Sequence, residues 1–371
     1  MTLNDSLLKS EEKAIFALRQ LYAEYGYSQY KMSKFEEYDL YVRNKDFLIS
    51  DSIITFTDTN GKLMALKPDV TLSILKNGKD AVGQVQKVYY NENVYRVSGG
   101  THSFKEIMQV GLECIGDIDD YSLYEVILLA AKSLASISIS SVLDISHLGI
   151  LSAVFDAINV SESDRAALIR SFGEKNIHEL AAKCESCGIS KEDTALLKSL
   201  LSLYGKPSDV LPKLKLLLDG KIDGAPLQQF ENILSSLKKS EIYGMLRIDF
   251  SVVHDFGYYN GIVFKGFIEG IPEGVLSGGQ YDKLLYKMGR KSGAIGFAVY
   301  LDLLERMNGG EKKNDVDILL VYNDTTPLSL LAETVKSLSS SGKSVMAQKE
   351  IPQKIKYAKL MKIDENGVRE I

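Results

Sequence analysis

Cysteine is scarce in this sequence, and its scarcity argues against one class of protein. The 371 residues include three cysteines, Cys114, Cys184 and Cys187. An odd number of cysteines, and so few of them, argues against a disulfide framework and favours a reducing compartment. The pair in "CESC" has the spacing of two zinc ligands, but no second pair completes a site of four ligands. The alternative is two small residues near a helix end, and we predict no metal site.

Positive charge is also in short supply. The chain has 44 Lys and Arg against 49 Asp and Glu, a net charge of -5 at pH 7. A protein whose main task is to grip a phosphate backbone is expected to be basic, so nucleic acid is disfavoured as the principal partner. No apolar run reaches the ~18 residues of a membrane span. The start "MTLNDSLLKSEEK" lacks the basic and then apolar segments of a signal peptide. We therefore expect a soluble, cytoplasmic protein with no membrane partner.

The signatures of several common enzyme classes are missing. The sequence contains no P-loop, no G-x-G-x-x-G, no G-x-S-x-G and no H-E-x-x-H pattern. Its four histidines stand far apart in the chain, which gives a metal-centred mechanism little support. Function must therefore be sought in patterns other than these.

The first half of the chain alternates helical and strand patterns. Apolar residues at helical spacing predict a helix over residues 6–25. "IITFTDTNGKLMALKPDVT" predicts a hairpin, because Asn-Gly is a strong hairpin signal. Two further strands are predicted in "QVQKVYYNENVYRVSG" and "FKEIMQVGLECIGD", then a helix in "SLYEVILLAAKSLASI" and a strand in "SSVLDIS". Leucine-rich helical patterns then predict an all-helical insertion at about 150–240.

Strands return in the second half. They are predicted in "GMLRIDFSVV", "GIVFKGFI" and "GVLSGGQYD", followed by a helix in "AIGFAVYLDLLERM". After the linker "NGGEKKND" come a strand, a helix, a strand and a hairpin around Asn366-Gly367. This order predicts an α+β fold: a mostly antiparallel sheet with flanking helices in residues 1–310, and a short α/β domain in residues 315–371.

Polar residues in "LKPDVT" form the first candidate site. Lys67, Asp69 and Thr71 alternate in sequence, so on a strand they would share one face. An aspartate and a threonine on one face could hold an amino group. The alternative is the solvent-facing edge of a hairpin.

Three other segments carry candidate ligand contacts. Gln109, Gly111 and Glu113 share a strand face by period two, and the glycine leaves room for a ligand on the sheet. In "VVHDFGYYNGIVF", Tyr258 and Tyr259 precede an Asn-Gly turn. In "LSGGQYD", Tyr281 follows two glycines. Each tyrosine taken alone is as readily a core or rim residue.

Taken in order, these segments resemble the core of a class II aminoacyl-tRNA synthetase, in particular a histidyl-tRNA synthetase, over nearly the whole chain. "LKPDVT" resembles that family's Leu-Arg-Pro-Glu-Gly-Thr, and "VYRVSGGTHSFKEIMQVGLECIG" resembles its motif 2. "VVHDFGYYNGIVF" resembles its histidine-specific segment, "LSGGQYD" its Gly-Gly-Gly-Arg-Tyr-Asp, and "GFAVYLDLL" its motif 3. The resemblance implies a synthetase-like antiparallel sheet and a truncated anticodon-binding-like domain at 315–371.

The nucleotide side departs from the family. Other residues stand where the family has arginine, glutamate or glycine: Ser98, Lys105, His254, Gln280, Tyr300 and Leu303. Synthetase arginines bind ATP phosphates through a planar fork that these side chains cannot reproduce. Losing one donor aimed at transition-state charge typically costs ~10²–10³ in rate. The resemblance therefore implies no catalytic residues, no cofactor and no aminoacylation.

The amino-acid side is kept. The resemblance implies that Asp69 and Thr71 hold the amino group of a histidine and that Arg96 meets a carboxylate. It assigns the surroundings of the imidazole to five further residues: Gln109, Glu113, Tyr258, Tyr259 and Tyr281.

A histidine pocket without activating arginines resembles one paralogue family, the regulatory subunits of ATP phosphoribosyltransferase. That resemblance implies a short-form catalytic subunit as partner, L-histidine as feedback effector, and a homodimer within a hetero-octamer that binds no tRNA. The alternatives are a divergent histidyl-tRNA synthetase and a stand-alone amino-acid-binding protein. Histidine could bind in the synthetase-like pocket or at the interface with the partner, and the sequence leaves both open.

Overall fold

A computed structural model describes residues 8–44, 53–78, 83–97, 103–253, 258–307, 314–365 and 367–371. The chain divides into two compact units, Met1–Met307 and Asn308–Ile371. Within the described residues, every helix is too short or too polar to cross a bilayer.

The first unit contains twelve of the strands. They are β1 (Ser28–Gln29), β2 (Phe35–Glu37), β3 (Thr55–Thr57), β4 (Leu63–Leu66), β5 (Val85–Val97), β6 (Phe104–Gly116), β7 (Ser141–His147), β8 (Tyr204–Gly205), β9 (Leu246–Asp249), β10 (Ile262–Ile268), β11 (Leu276–Gln280) and β12 (Gly293–Tyr300).

The same unit contains eleven α-helices in the described residues. They are α1 (Ser10–Glu24), α2 (Tyr38–Val42), α3 (Thr71–Asn77), α4 (Asp120–Ile137), α5 (Leu148–Ala157), α6 (Glu162–Gly173), α7 (Ile177–Ser186), α8 (Lys191–Ser202), α9 (Pro207–Leu218), α10 (Ala225–Leu237) and α11 (Asp282–Lys287). Short 3₁₀ helices cover Tyr243–Met245 and Leu301–Met307. Helices α5 to α10 lie in the stretch predicted to be all-helical, which also contains the two-residue strand β8.

Nine strands form one sheet in the order β1-β5-β6-β12-β11-β10-β7-β9-β8. Strand β1 runs parallel to β5 and β7 parallel to β9, while the other neighbours are antiparallel. The predicted α+β class with a mostly antiparallel sheet is therefore confirmed. Strands β5 and β6 pair along their whole length, from Val85 opposite Gly116 to Val97 opposite Phe104.

One predicted helix is wrong. Residues 293–300 form strand β12, and the helical part of that segment is the 3₁₀ turn that begins at Leu301. Strand β12 lies between β6 and β11, and most of its side chains are buried. A strand covered on both faces carries a continuous apolar run, and periodicity cannot distinguish such a run from a buried helix.

The predicted strand face of Lys67, Asp69 and Thr71 is also wrong. Strand β4 ends at Leu66, and helix α3 begins at Thr71. The intervening Pro68 has no N–H with which to continue a strand ladder. The Asp69 carboxylate accepts the backbone N–H of Leu72 at 2.9 Å. The hairpin itself is confirmed, because β3 and β4 pair across the "DTNGK" turn.

Helix α4 packs on the nine-stranded sheet and buries a long apolar face. Asp119 caps its N-terminus by accepting the N–H of Ser122 at 2.8 Å. Helix α1 lies against α4, where the Tyr22 hydroxyl is 3.0 Å from Ser133 Oγ. The main core of the first unit therefore lies between these helices and the sheet.

The second unit has a four-stranded sheet in the order β14-β13-β15-β16. Its elements are β13 (Val316–Tyr322), α12 (Leu328–Ser340), β14 (Val345–Gln348), β15 (Tyr357–Asp364) and β16 (Gly367–Glu370). The predicted strand, helix, strand and terminal hairpin are confirmed. Asn366 lies outside the described residues, and Gly367 has a φ of 115° that suits glycine at the turn.

Candidate functional site

A buried carboxylate lies at the centre of the candidate site. Glu113 on β6 is 2% exposed. Its Oε1 accepts the Thr71 hydroxyl at 2.8 Å, and its Oε2 accepts the Tyr281 hydroxyl. Two hydroxyl donors from α3 and from the end of β11 therefore meet on one strand residue.

Glycines make room for this arrangement. Gly296 lies opposite Glu113 on β12, and a β-carbon there would overlap the carboxylate. Gly111 on β6 faces Tyr90 of β5, whose hydroxyl occupies the space of the missing side chain. The prediction that Gly111 leaves room for a ligand is wrong, because the Tyr90 hydroxyl and the Phe297 carbonyl occupy that space.

Aromatic rings cover one side of the site. The Tyr258 ring lies 4.7 Å from Tyr259 at an interplanar angle of 77°, and 5.3 Å from Tyr281 at 36°. Burial raises the pKa of Tyr258 and of Tyr281 well above the usual phenol value. These hydroxyls therefore stay protonated and can donate hydrogen bonds at neutral pH.

A second carboxylate lies close by. Burial raises the pKa of Asp69, while the Leu72 N–H and the positive charge of Arg96 lower it. Arg96 itself donates from Nε to the Pro68 carbonyl at 3.2 Å. The segment that follows β4 is thus held between α3 and the arginine of β5.

Glu113 and Asp69 place two carboxyls close to one another in the site. Burial raises the pKa of Glu113 to about 8, with repulsion from Asp69 adding to the shift and hydrogen bonds from Tyr281 and Thr71 opposing it. Two buried carboxyls that repel one another favour a ligand that brings positive charge or N–H donors. An ammonium group or an imidazole supplies both.

The structure brings most of the predicted residues together. Asp69, Thr71, Glu113, Tyr258 and Tyr281 interact directly or electrostatically, and Tyr259 contacts Tyr258.

Two predicted residues are tied to the site less directly. Gln109 is buried four residues before Glu113 on β6, so both side chains lie on the same face of the sheet. Arg96 acts electrostatically on Asp69. Tyr90 was not predicted, although its hydroxyl interacts electrostatically with Glu113 and Asp69. No short sequence pattern identifies Tyr90, because its role depends on its pairing with Gly111 across β5 and β6.

The next residues are those that stand where the synthetase family has arginine, glutamate or glycine. Gln280 Nε2 donates to Asp282 Oδ2 at 2.7 Å, and Asp282 also accepts from Asn260 at 3.1 Å. The Tyr300 hydroxyl lies 3.0 Å from Ser277 Oγ, and Leu303 packs against the main core. Lys105 is exposed near the start of β6. Ser98 and His254 lie outside the described residues.

The described residues contain no group of three or more His, Cys, Asp or Glu side chains that could hold a metal. Cys184 is buried in α7, and Cys187 follows the end of that helix. Both are free thiols.

Comparisons with known proteins identify relatives. The family model described as histidyl-tRNA synthetase matches residues 3–304. An ATP phosphoribosyltransferase regulatory subunit from Oceanobacillus iheyensis is 26% identical over 349 residues, 92% of this chain and 86% of that protein. A protein of the same name from Clostridium kluyveri is 29% identical over 325 residues, 82% of this chain and 81% of that protein.

Solved structures share the fold. A structure described as an ATP phosphoribosyltransferase regulatory subunit/histidyl-tRNA synthetase from Bacillus halodurans C has a TM-score of 0.73 at 24% identity, covering 94% of this chain and 90% of that chain. A chain of the ATP phosphoribosyl transferase (HisG:HisZ) complex from Thermotoga maritima has a TM-score of 0.62 at 17% identity, covering 78% and 97%. Because the family model spans most of its length, the chain belongs to the histidyl-tRNA synthetase family, and within it the chain is similar to the regulatory subunits of ATP phosphoribosyltransferase, as its motifs predicted.

Proposed function

We propose that the chain is a non-catalytic regulatory subunit of an ATP phosphoribosyltransferase and that it senses L-histidine in the pocket around Glu113. One observation carries the proposal. Glu113 is held between Thr71 and Tyr281 beneath aromatic rings, whereas the neutral Gln280 and Leu303 stand where the synthetase family has arginines.

The chemistry of the pocket fits histidine. The α-ammonium group would lie between Asp69 and Thr71, and the imidazole would face Glu113 and the tyrosines. Arg96 would meet the ligand carboxylate, because guanidinium and carboxylate form strong charge-assisted pairs. Gln109, on the same face of β6 as Glu113, would also line the imidazole site. A ligand with neither positive charge nor N–H donors would gain nothing from the carboxyls of Glu113 and Asp69.

The partner would be a short-form catalytic subunit. The names of the relatives and the structural similarity to a chain of the Thermotoga maritima complex support this assignment. The chain would form homodimers within a hetero-octamer, and ATP and phosphoribosyl pyrophosphate would bind to the partner. Histidine would act through an allosteric coupling, which is typically ~1–3 kcal/mol.

The test is reconstitution. A purified short-form catalytic subunit is assayed for phosphoribosyl-ATP formation alone, with this chain, and with this chain plus histidine. We expect activity to appear with the chain and to fall when histidine is added. A catalytic subunit that is equally active and equally inhibited without the chain would contradict the proposal.

The second candidate is a divergent histidyl-tRNA synthetase, which the description of the family model favours. It makes a different prediction, namely histidine-dependent exchange of pyrophosphate into ATP. We expect no exchange above the level of a blank without protein, because the arginines that stabilise transition-state charge are replaced. Clear exchange would establish the synthetase instead.

A further inference from the structure

A second cavity lies on the same face of the nine-stranded sheet as Glu113. It has a volume of about 450 Å³ and is lined by residues of β7, β9, β10 and the C-terminal end of α6. Four strand spacings separate β6 from β7 in the sheet order, about 19 Å at the usual ~4.8 Å per spacing. The cavity is therefore distinct from the candidate histidine pocket.

The cavity contains a carboxylate whose hydrogen bonding is incomplete. Asp144 on β7 lines the cavity and is 8% exposed. Among the described residues its Oδ1 atom has no hydrogen-bond partner. Buried polar atoms in native proteins are nearly always paired, and leaving one without a partner is costly. The Asp144 carboxylate can therefore accept a further hydrogen bond from a donor that enters the cavity.

The neighbouring charges are already engaged. Asp249 Oδ2 accepts Lys175 Nζ at 2.7 Å, and Asp249 Oδ1 accepts the N–H and the hydroxyl of Ser251 at 2.9 and 2.7 Å. Lys175 Nζ also lies 4.9 Å from the ring centre of Tyr204. Burial, followed by repulsion from Asp249, raises the pKa of Asp144 to about 6, although Lys175 and Arg247 lower it. The Asp144 carboxylate is thus still mostly ionised at pH 7.

The rest of the lining has an apolar part and three charged residues, Arg170, Glu174 and Lys265. Val252, Val253 and Phe267 line the cavity, and both valines are buried. Lys265 lies directly across from Asp144 on β10, and its Nζ is 5.7 Å from the ring centre of Phe267. The cavity therefore combines an anion, an apolar wall and a cation.

We propose that this cavity binds a small apolar α-amino acid, with the ammonium group on Asp144, the side chain against Val252, Val253 and Phe267, and the carboxylate toward Lys265. The site is independent of the proposed histidine pocket. A zwitterion matches the two charges, and an aliphatic side chain matches the wall between them.

Three probes separate the parts of this claim. L-leucine carries all three features, 3-methylbutylamine lacks the carboxylate, and 4-methylpentanoate lacks the ammonium group. Binding to the full chain is measured by calorimetry and by saturation-transfer NMR with L-histidine at saturation. We expect leucine to bind most tightly, the amine at least tenfold more weakly, and the acid not at all.

Variants assign the contacts. Asp144→Asn keeps the shape but removes the charge, so it should weaken leucine and the amine at least tenfold. Lys265→Gln should weaken leucine alone, because the amine has no carboxylate. Asp209→Asn, a change at an exposed aspartate on α9, is the matched control and should alter neither. If Asp144→Asn does not fold by circular dichroism, the probe series and Lys265→Gln decide the matter.

Several outcomes overturn the proposal. They are binding of none of the probes, equal binding of the acid and the amine, unchanged leucine binding in folded Asp144→Asn, and displacement of leucine by histidine. None of these results bears on histidine binding at Glu113, which is measured in separate titrations.

Discussion

The two halves of the proposed site differ in the charge of their side chains. The amino-acid half is centred on Glu113, and the nucleotide half contains Gln280 and Tyr300. On the amino-acid half, Glu113 remains a buried carboxyl held by two hydroxyl donors. On the nucleotide half, Gln280 and Tyr300 are neutral and hydrogen-bond to side chains of the protein. Both halves lie on the same paired strands, whose backbone ladder does not depend on these side chains. Under the proposed function, the comparison teaches that a fold can keep a ligand pocket while other side chains replace the charges that would activate the ligand.

The largest expected effect is a dependence of the free energy of unfolding on pH, caused by Glu113 in the amino-acid half. The folded-state pKa of Glu113 is about 8, above the ordinary value of 4.5, so the folded protein retains a proton that the unfolded chain releases. The resulting stability is fully present below pH 4.5 and is lost as pH rises toward 8. The expected loss is ~1.4 kcal/mol per pH unit in that window.

Urea denaturation of wild type and Glu113→Gln at several pH values between 5 and 9 measures this loss. Asp69 and Asp144 also have raised pKa values, so only the difference between the two proteins isolates Glu113. The difference should change steadily up to about pH 8 and then level off. A constant difference would show that Glu113 is already ionised in the folded protein at pH 5.

The next effect concerns ligand binding. At pH 9, where Glu113 is ionised, Glu113→Gln should raise the Kd of histidine ~10–100-fold, because a hydrogen bond to a charged group is worth ~1.5–3 kcal/mol. Calorimetry measures the change. Glu106→Gln, at an exposed glutamate on the same strand, is the control and should change the Kd less than twofold. Equal affinities in the two variants would place the histidine site elsewhere.

A smaller effect is expected at Tyr281. Tyr281→Phe removes one of the two hydroxyl donors to Glu113 but keeps the ring that packs on Tyr258. One such hydrogen bond contributes ~1 kcal/mol, so the histidine Kd should rise about fivefold. The regulatory readout is the histidine concentration that halves the activity of the reconstituted complex, which should rise in proportion. An increase in Kd without a parallel increase in that concentration would separate the pocket from inhibition.

The smallest effect is expected on the nucleotide half. Gln280→Arg returns one arginine, but the adjacent Asp282 would pair with it, and Leu303 and Tyr300 remain. Pyrophosphate exchange should stay undetectable, and the histidine Kd should change less than twofold. Exchange that appears with this single change would show that the nucleotide half is nearly intact, and the contrast between the two halves would then fail.

Much of the fold followed from local patterns. Val- and Tyr-rich runs around a glycine loop predicted β5 and β6, and the Asn-Gly turn predicted the β3–β4 hairpin. Strand β12 was missed because both of its faces are covered, and a strand covered on both faces loses the alternation of apolar and polar residues. Sequence periodicity reports exposure, so it fails where both faces are covered.

The sequence predicted most of the residues that the structure brings together around Glu113, but not how the backbone places them. Asp69 and Thr71 reach the pocket through a helix start after Pro68, which a strand alternation could not anticipate. Tyr90 was missed because its role depends on its register against Gly111, a long-range pairing that short sequence patterns do not encode. The interpretation of residues 315–371 as a truncated anticodon-binding-like domain stays a prediction.

The most direct test of the central claim is a calorimetric titration of the purified chain with L-histidine, with and without ATP·Mg. In the proposed function, the pocket around Glu113 binds histidine, and Gln280 and Leu303 stand where the synthetase family has arginines for ATP. We therefore predict histidine binding with the same Kd in both titrations and no continuing heat from turnover. Histidine binding that tightens when ATP is present, with sustained heat from adenylate formation, would contradict the account.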